Sequence, residues 1–165
     1  VSPSDTAPAL VALEATLVVN NVNSETLIAA EDFFIGPKIN IERMTVLESG
    51  DILTAIRIPN TWANADFYFE KVADRNTWDF PLVNVAAAMQ LDGDVITDIR
   101  IACGGVECIP RRLTVVEDVV RGGNKDDESA TVAGSAASRG AAPLNYNHFK
   151  IPLMENLVRR DIRDA

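Results

Sequence analysis

Two apolar runs, residues 83–91 and 94–102, flank the dipeptide Asp92-Gly93. An Asp-Gly pair between apolar runs is a strong short-range signal for a β-hairpin, because both residues of its two-residue turn need positive φ angles. The sequence therefore predicts an antiparallel hairpin here. Residues 67–72 alternate as a strand does, just ahead of the hairpin. Together these segments predict a three-stranded antiparallel sheet.

Helical periodicity begins after this sheet, beyond Pro110. Apolar residues recur there at steps of three and four positions, and the pair Gly122-Gly123 favours an end to the helix. Two more helices are predicted over 126–139 and 152–162, the second with arginines near its C-terminus, where cations suit the helix dipole. Strands followed by helices indicate an α+β fold.

The first sixty residues predict a smaller unit. Ser4 or Asp5 can cap a short helix, because the oxygen of either side chain accepts from the free N–H groups of the first turn. The polar connector 60–66 is the candidate boundary towards the larger sheet. β-branched and apolar residues predict strands over 16–20, 25–29 and 51–58.

Size and charge restrict the classes of function. The chain has 165 residues and a mass of 17.9 kDa, the size of one ordinary domain or two small lobes. Its 15 basic and 24 acidic residues give a net charge of −9, which argues against nucleic-acid binding. No apolar stretch reaches the roughly 20 residues that cross a bilayer, and the first twelve residues lack the basic start of a signal peptide. We expect no membrane insertion, a cytoplasmic location and, since the chain does not begin with Met, a piece of a longer protein or a product of cleavage.

Residues with catalytic potential are few. Cys103 and Cys108 are the only cysteines, and two thiols cannot complete a four-ligand zinc or iron–sulfur site. Their spacing is not that of a C-x-x-C redox pair. A disulfide across the Gly-Gly turn is geometrically possible, but we expect two free, partly buried thiols, as is usual for free Cys. His148, the single histidine, has no Ser, Cys or acidic residue at motif spacing, which leaves no catalytic triad. The sequence predicts neither a catalytic residue nor a metal site.

Two local features are able to bind a ligand, and each has a structural alternative. The ammonium of Lys71 follows an aromatic strand and can contact an anion or the edge of a cofactor, or it can extend into solvent while its stem covers apolar surface. Ser4-Asp5 can bind a ligand hydroxyl or only cap its helix. The pair Gly104-Gly105 matches no phosphate-binding motif and is interpreted as a sharp turn.

A series of short motifs runs through nearly the whole chain. In order, these are PSDTAPALVALEA from Pro3, EDFF from Glu31, GDILTAIRIP from Gly50, FEKVADR from Phe69, DFPLVNVA from Asp79, CGGV from Cys103, PR at Pro110, NHFKIPL from Asn147 and LVRR from Leu157. The series resembles the FAD-binding subunit of the molybdenum hydroxylases, the family of xanthine dehydrogenase, carbon monoxide dehydrogenase and bacterial aldehyde oxidoreductases. The last two motifs are most similar to the aldehyde-oxidoreductase branch.

The resemblance implies an electron-transfer role. An FAD bound by the subunit would receive electrons from iron–sulfur clusters and pass them to an acceptor, while partner subunits carry those clusters and the molybdenum cofactor. Three cofactor-binding residues are implied: Asp5 as an acid that contacts the flavin nucleotide, Leu53 as an apolar residue that lines the site, and Lys71 as a cation that stabilises negative charge on the reduced ring. The loop 73–80 is implied to lie beside the ring and to gate the acceptor. For Arg75, Trp78 and Asp79 the resemblance implies only a position near the flavin ring.

The chain departs from the family in one respect, since it has no Gly-rich segments to cradle the pyrophosphate. Residues 1–60 are therefore implied to be the C-terminal part of the FAD-binding lobe, with the rest of that lobe as a missing partner, and residues 61–165 the family's C-terminal α+β domain. A rival hypothesis is a non-catalytic interaction module, motivated by the net charge and by the lack of a complete catalytic constellation. A partner subunit with an export signal would place the assembly in the periplasm.

Overall fold

The computed structural model describes residues 3–165, so the first two residues of the predicted domain 1–60 lie outside the described residues. Its first part is a small antiparallel sheet with two helices. The strand order is β2-β1-β3, which confirms the three strands predicted in this part. The elements are α1 (Thr6–Ala12), β1 (Thr16–Asn20), β2 (Glu25–Ala29), α2 (Ala30–Phe33) and β3 (Ile52–Arg57).

A second antiparallel sheet follows a short 3₁₀ helix at Asn60–Trp62. Its strand order is β4-β5-β6-β7. The three predicted strands are confirmed, but the sheet has a fourth strand, because the chain reverses after β6 and pairs Arg111 with Cys103. Two antiparallel sheets with helices confirm the α+β class. The strands are β4 (Asp66–Val72), β5 (Val83–Asp92), β6 (Val95–Gly104) and β7 (Arg111–Arg112).

The hairpin of β5 and β6 is confirmed, but its turn lies one residue further along the chain than predicted. Asp92 pairs with Val95, so Gly93 and Asp94 are the two turn residues. Of these, Gly93 alone has a positive φ, of 61°. This fits a type II′ turn, in which glycine occupies the first central position. The expectation of a positive φ at Asp92 is wrong, because one left-handed glycine is enough to match the twist of the strands.

Three helices cover one face of the second sheet. Their apolar sides pack on alternate residues of β5 and β6, among which Val85 and Ile101 are fully buried. Cys103 and Cys108 are free, as expected, and burial raises the pKa of the Cys103 thiol to about 12. Within residues 3–165, none of the helices has both the length and the apolar character needed to span a bilayer. The predicted helices are confirmed as α3 (Thr114–Val120), α4 (Asp127–Ala137) and α5 (Lys150–Asp164).

The opposite face of the second sheet carries α1. The helix ends in a Schellman motif, in which the N–H of Ala15 bonds to the carbonyl of Leu10 at 2.9 Å and the N–H of Glu14 bonds to that of Val11 at 3.2 Å. Glu14 has a φ of 53°, at a position that usually favours glycine. Val11 belongs to a smaller core that also includes Ala102 of β6, so the two parts of the chain share apolar packing.

Arg100 joins α1 and α2 to β6 from a position where its side chain is only 10% exposed. Its guanidinium donates to the carbonyl of Val11 at 3.0 Å and lies 3.2 Å from the Glu14 carboxylate and 3.3 Å from that of Glu31. The indole N–H of Trp62 donates to the other oxygen of Glu14 at 3.0 Å. Because a buried charge that loses its partners costs about 3–5 kcal/mol, these contacts favour one placement of α1 on the sheet.

One carboxyl group on α5 is buried without a partner. Asp161 is fully buried, and neither of its oxygens accepts a hydrogen bond from the described residues. Burial raises the pKa of Asp161 well above its usual range. Beside it, Tyr68 donates its hydroxyl hydrogen to Glu70, and Arg160 lies 2.6 Å from Glu70. Burial therefore favours the protonated form of this carboxyl group.

Replacing Asp161 with Asn should raise the free energy of unfolding at neutral pH. Above a pH of about 4, the unfolded chain ionises this carboxyl group while the folded chain keeps its proton. Wild-type stability therefore falls as the pH rises towards the folded-state pKa, by about 1.4 kcal/mol per pH unit from this group. Urea unfolding at about pH 5 and about pH 7.5 measures the slope, which Asp161→Asn should reduce and the exposed Asp32→Asn should leave unchanged. Equal slopes for wild type and Asp161→Asn would contradict the assignment.

Candidate functional site

Lys71 and Asp5 form an ion pair, although 66 positions separate them in the sequence. The Lys71 Nζ lies 2.7 Å from Oδ2 of Asp5 and also donates to the backbone carbonyl of Asp79 at 2.6 Å. The Lys71 side chain is 25% exposed and that of Asp5 is 45% exposed. An ammonium group has three N–H donors, so Lys71 keeps one donor for a further acceptor.

Helix capping explains why Asp5 is available to Lys71. The hydroxyl oxygen of Ser4 accepts the N–H of Ala7 at 3.1 Å, whereas Asp5 makes no side-chain bond to the first turn of α1. Of the two candidate caps, Ser4 therefore takes the role. The second carboxylate oxygen of Asp5, Oδ1, is buried and has no hydrogen-bond partner within residues 3–165. A buried acceptor without a donor costs about 1–3 kcal/mol, so a donor brought to this atom would be stabilising.

Asn84 supports the pair from beneath. It lies opposite Lys71 in the β4–β5 ladder, is fully buried, and donates from Nδ2 to the carbonyl of Ser4 at 3.4 Å. Gly104, its neighbour on β6, leaves room for this side chain, because a Cβ added at Gly104 would lie 2.3 Å from the Asn84 Oδ1 and 3.0 Å from Cγ of Pro8. The start of α1 is thus connected to the sheet directly below Asp5.

The loop 73–80 leads away from Lys71 and is held by its own polar contacts. The N–H of Arg75 donates to the Asp79 carboxylate at 2.9 Å, and this bond lowers the pKa of Asp79. The guanidinium of Arg75 donates to the carbonyl of Trp78 at 2.7 Å. Trp78 is 95% exposed and has a φ of 52°, an unfavourable backbone conformation for a bulky residue. A cleft of about 360 Å³ lies between this loop and Lys71.

An apolar surface lies beside the pair. Phe67 and Phe69 stand on the same face of β4 as Lys71, because strand residues two apart share a face. About half of each phenylalanine side chain is exposed. With Ala9 of α1 and Leu13, which directly follows that helix, they line a cavity of about 310 Å³. The site therefore combines a charged pair with an apolar wall, an arrangement suited to a ligand with both polar and aromatic parts.

Two family models match successive parts of the chain. Residues 1–61 match the FAD binding domain in molybdopterin dehydrogenase, and residues 68–165 match the CO dehydrogenase flavoprotein C-terminal domain. The chain belongs to the molybdenum hydroxylase flavoproteins.

Relatives among these flavoproteins align over most of the chain. The nicotine 6-hydroxylase medium subunit of Paenarthrobacter nicotinovorans is 31% identical to this chain. The aligned region includes 94% of this chain and 54% of that subunit. The aldehyde oxidoreductase FAD-binding subunit PaoB of Escherichia coli is 29% identical, and the alignment includes 99% of this chain and 48% of PaoB. A carbon monoxide dehydrogenase from Hydrogenophaga pseudoflava that lacks the Mo-pyranopterin moiety superposes with a TM-score of 0.87 at 26% identity, over 99% of this chain and 56% of that one. The chain thus spans about half the length of the relatives it matches.

Family membership bears on the two rival hypotheses. The relatives are subunits of oxidoreductases. Both family models assign this chain to the same family, which favours the flavoprotein hypothesis over an unrelated interaction module. The alternative of a solvated Lys71 does not describe the structure either, because two protein oxygens hold its ammonium group.

The structure brings together two of the three residues that the flavoprotein resemblance implies. Asp5 and Lys71 touch, whereas Leu53 lies on β3 of the other sheet, opposite Val19 of β1. The Leu53 side chain is 38% exposed on an edge strand. The cofactor contacts of all three residues stay predictions.

The sequence analysis assigned no role at the site to Asn84 or Gly104. Asn84 is the single polar side chain in the run 83–89, whose members are otherwise apolar and buried, and this is the signal that could have identified it. The interpretation of Gly104-Gly105 as only a sharp turn needs correction. Gly105, with a φ of 77°, makes the turn, but Gly104 still belongs to β6 and provides space for Asn84.

Gly104→Ala should destabilise the flavoprotein by about 1–3 kcal/mol, because the added methyl group overpacks the space that Asn84 and Pro8 occupy. Urea unfolding measures the loss. Gly36→Ala is the matched control, since its Cβ would meet Cys108 at an ordinary 3.8 Å and should cost little. Equal stability of the two variants would show that the close approach of Asn84 to Gly104 does not contribute to the free energy of unfolding.

Proposed function

We propose that the chain forms one wall of the FAD site in the flavoprotein subunit of a molybdenum-containing hydroxylase or aldehyde oxidoreductase. The observation that carries this proposal is the Lys71–Asp5 pair, which places a cation and an unsatisfied carboxylate oxygen beside an exposed aromatic surface. The pair also joins a residue from each of the two segments that match flavoprotein family models.

The polar groups of the site fit a flavin nucleotide. Oδ1 of Asp5 needs a hydrogen-bond donor, and FAD offers hydroxyl and imide N–H groups. The remaining N–H of Lys71 needs an acceptor, and the ring carbonyls and phosphates of FAD are acceptors. Phe67 and Phe69 provide an apolar surface for an aromatic ring. These three contacts are the ones we assign to the cofactor.

The protein's contribution is positioning and electrostatics. When bound, FAD would supply the electron-transfer chemistry between iron–sulfur clusters and an acceptor. Lys71 would hold positive charge at the ring edge, and Asp5 would keep the ammonium group in one place through their ion pair. Asn84 would keep Asp5 at that position by binding the backbone of Ser4. The loop 73–80, with Arg75, Trp78 and Asp79, would border the route of the acceptor.

The proposal includes the organisation of the complete protein. Residues 1–60 would complete an FAD-binding lobe, and residues 61–165 would form a C-terminal α+β domain. Edge strand β3 supports a missing lobe, because Ile52 and Ile56 leave 65% and 46% of their side chains exposed there. Leu53 of the same strand would line the flavin site. Partner subunits would carry the molybdenum cofactor and the iron–sulfur clusters, and we place the folding of this subunit in the cytoplasm, where free thiols such as Cys108 persist.

Lys71→Met in the polypeptide that carries the whole FAD-binding domain should weaken FAD retention at least about tenfold, because a charge-assisted hydrogen bond is lost. It should also lower the flavin midpoint potential by about 30 mV or more, since about 30 mV corresponds to 1.4 kcal/mol for a two-electron couple. Flavin absorbance after gel filtration and a redox titration measure the two effects.

Two further variants control this experiment. Lys38→Met removes an exposed cation outside the site and should change neither quantity. Lys71→Arg keeps the charge and should recover most of the potential. If Lys71→Met folds, keeps its flavin and leaves the potential unchanged, the role proposed for Lys71 is wrong.

A further inference from the structure

A second pocket lies where the end of α4, the start of α5 and the connection between β6 and β7 meet. Its volume is about 150 Å³, and it shares no lining residue with the Lys71 cleft. Its lining combines charged and apolar side chains, chiefly Glu107, Arg111, Arg139, Lys150, Ala137 and Met154. Nothing in the flavin proposal uses this pocket.

The charged side chains of this α4–α5 pocket are mostly positive. Arg111 is paired with Glu107, but Arg139 and Lys150 form no ion pair with any residue of the range 3–165. Three cations and one carboxylate thus converge in a chain whose net charge is −9. Such a local excess of positive charge attracts an anion.

Lys150 is held in a position from which it can bind. Its Nζ donates to the carbonyl of Gly105 at 2.7 Å, which leaves two N–H donors free. Burial disfavours the charged form of Lys150 and lowers its pKa, and an anion beside the ammonium group would offset this cost. Lys150 also begins the fifteen-residue helix α5, whose positive N-terminal end adds to the attraction.

The apolar lining decides which kind of anion fits. Met154 and Ala137 are 5% and 7% exposed, so the inner part of the pocket is apolar. A dry cavity of about 150 Å³ is large enough for benzene. A phosphate ion would leave this part uncovered, whereas a ring that bears one carboxylate would cover the apolar part and reach the cations. We propose that the α4–α5 pocket binds a compact monocarboxylate of about the size of benzoate, with its carboxylate on Lys150 and Arg139 and its apolar body against Met154.

Titration of benzoate into the 165-residue chain, followed by amide NMR, tests the proposal. We expect saturable shifts of the Gly105 and Lys150 amides with a Kd of about 0.1–1 mM. Benzamide keeps the ring without the charge, and acetate keeps the charge without the ring. Each should bind at least about tenfold more weakly than benzoate.

Variants locate the binding site. Lys150→Met should weaken benzoate binding at least about tenfold, and Ala142→Phe, on the exposed loop that borders the pocket, should block it by filling the space. Lys38→Met, which removes an exposed cation elsewhere, should bind as the wild type does. If Lys150→Met does not fold, the Arg139→Gln and Ala142→Phe variants still test whether benzoate binds in this pocket, because both positions are exposed.

Three results would overturn the proposal. The first is no saturation up to about 20 mM benzoate, which would show that the pocket does not bind an aromatic monocarboxylate. The second is an affinity for acetate or phosphate equal to that for benzoate, which would show that the site recognises negative charge only. The third is a set of amide shifts that lies away from Gly105 and Lys150. None of these results bears on FAD retention, so failure here leaves the flavin proposal intact.

Discussion

Arg100 lies almost completely buried between two parts of the chain that are distant in sequence, and the carbonyl of Val11 together with the carboxylates of Glu14 and Glu31 surrounds its guanidinium. Burying the cation without these partners would be costly, and the partners lie on α1, on the turn that follows it and on α2. The position of α1 on the second sheet follows from this requirement. A buried ion pair of this kind contributes more to a unique arrangement than to net stability, because desolvation offsets much of its attraction.

The candidate site depends on that arrangement. Asp5 directly precedes α1 and Lys71 lies near the end of β4, so their contact exists only while α1 lies where Arg100 holds it. Several of the structure's unsatisfied or strained groups lie here, namely the buried Oδ1 atoms of Asp5 and Asn84 and the left-handed backbone of Trp78. Features that cost stability tend to persist where binding needs them. The presence of these groups agrees with a ligand site at this surface.

Much of the fold was predictable, because its signals are local. β1 and β2 begin and end at the predicted residues, since β-branched runs and turn residues act over a few positions. The turn after β5 was predicted one residue early, because both Asp-Gly and Gly-Asp are turn-forming pairs and only the strand register decides between them. β7 was not predicted, since two residues carry no periodicity. Within the site, the roles of Lys71 and Asp5 were predicted from a family resemblance, whereas Asn84 was predicted only to lie in a strand.

The sequence by itself determined the α+β class, the order of strands and helices, and the family, because periodicity, turn chemistry and ordered motifs all lie along the chain. The tertiary structure alone decided that Ser4 caps α1 and leaves Asp5 to Lys71, that Gly104 makes room for Asn84, and that Lys150 and Arg139 face one pocket. Each of these involves atoms that are distant in sequence and a few ångströms apart in space. Such contacts depend on how the two sheets and their helices pack, which no local pattern records.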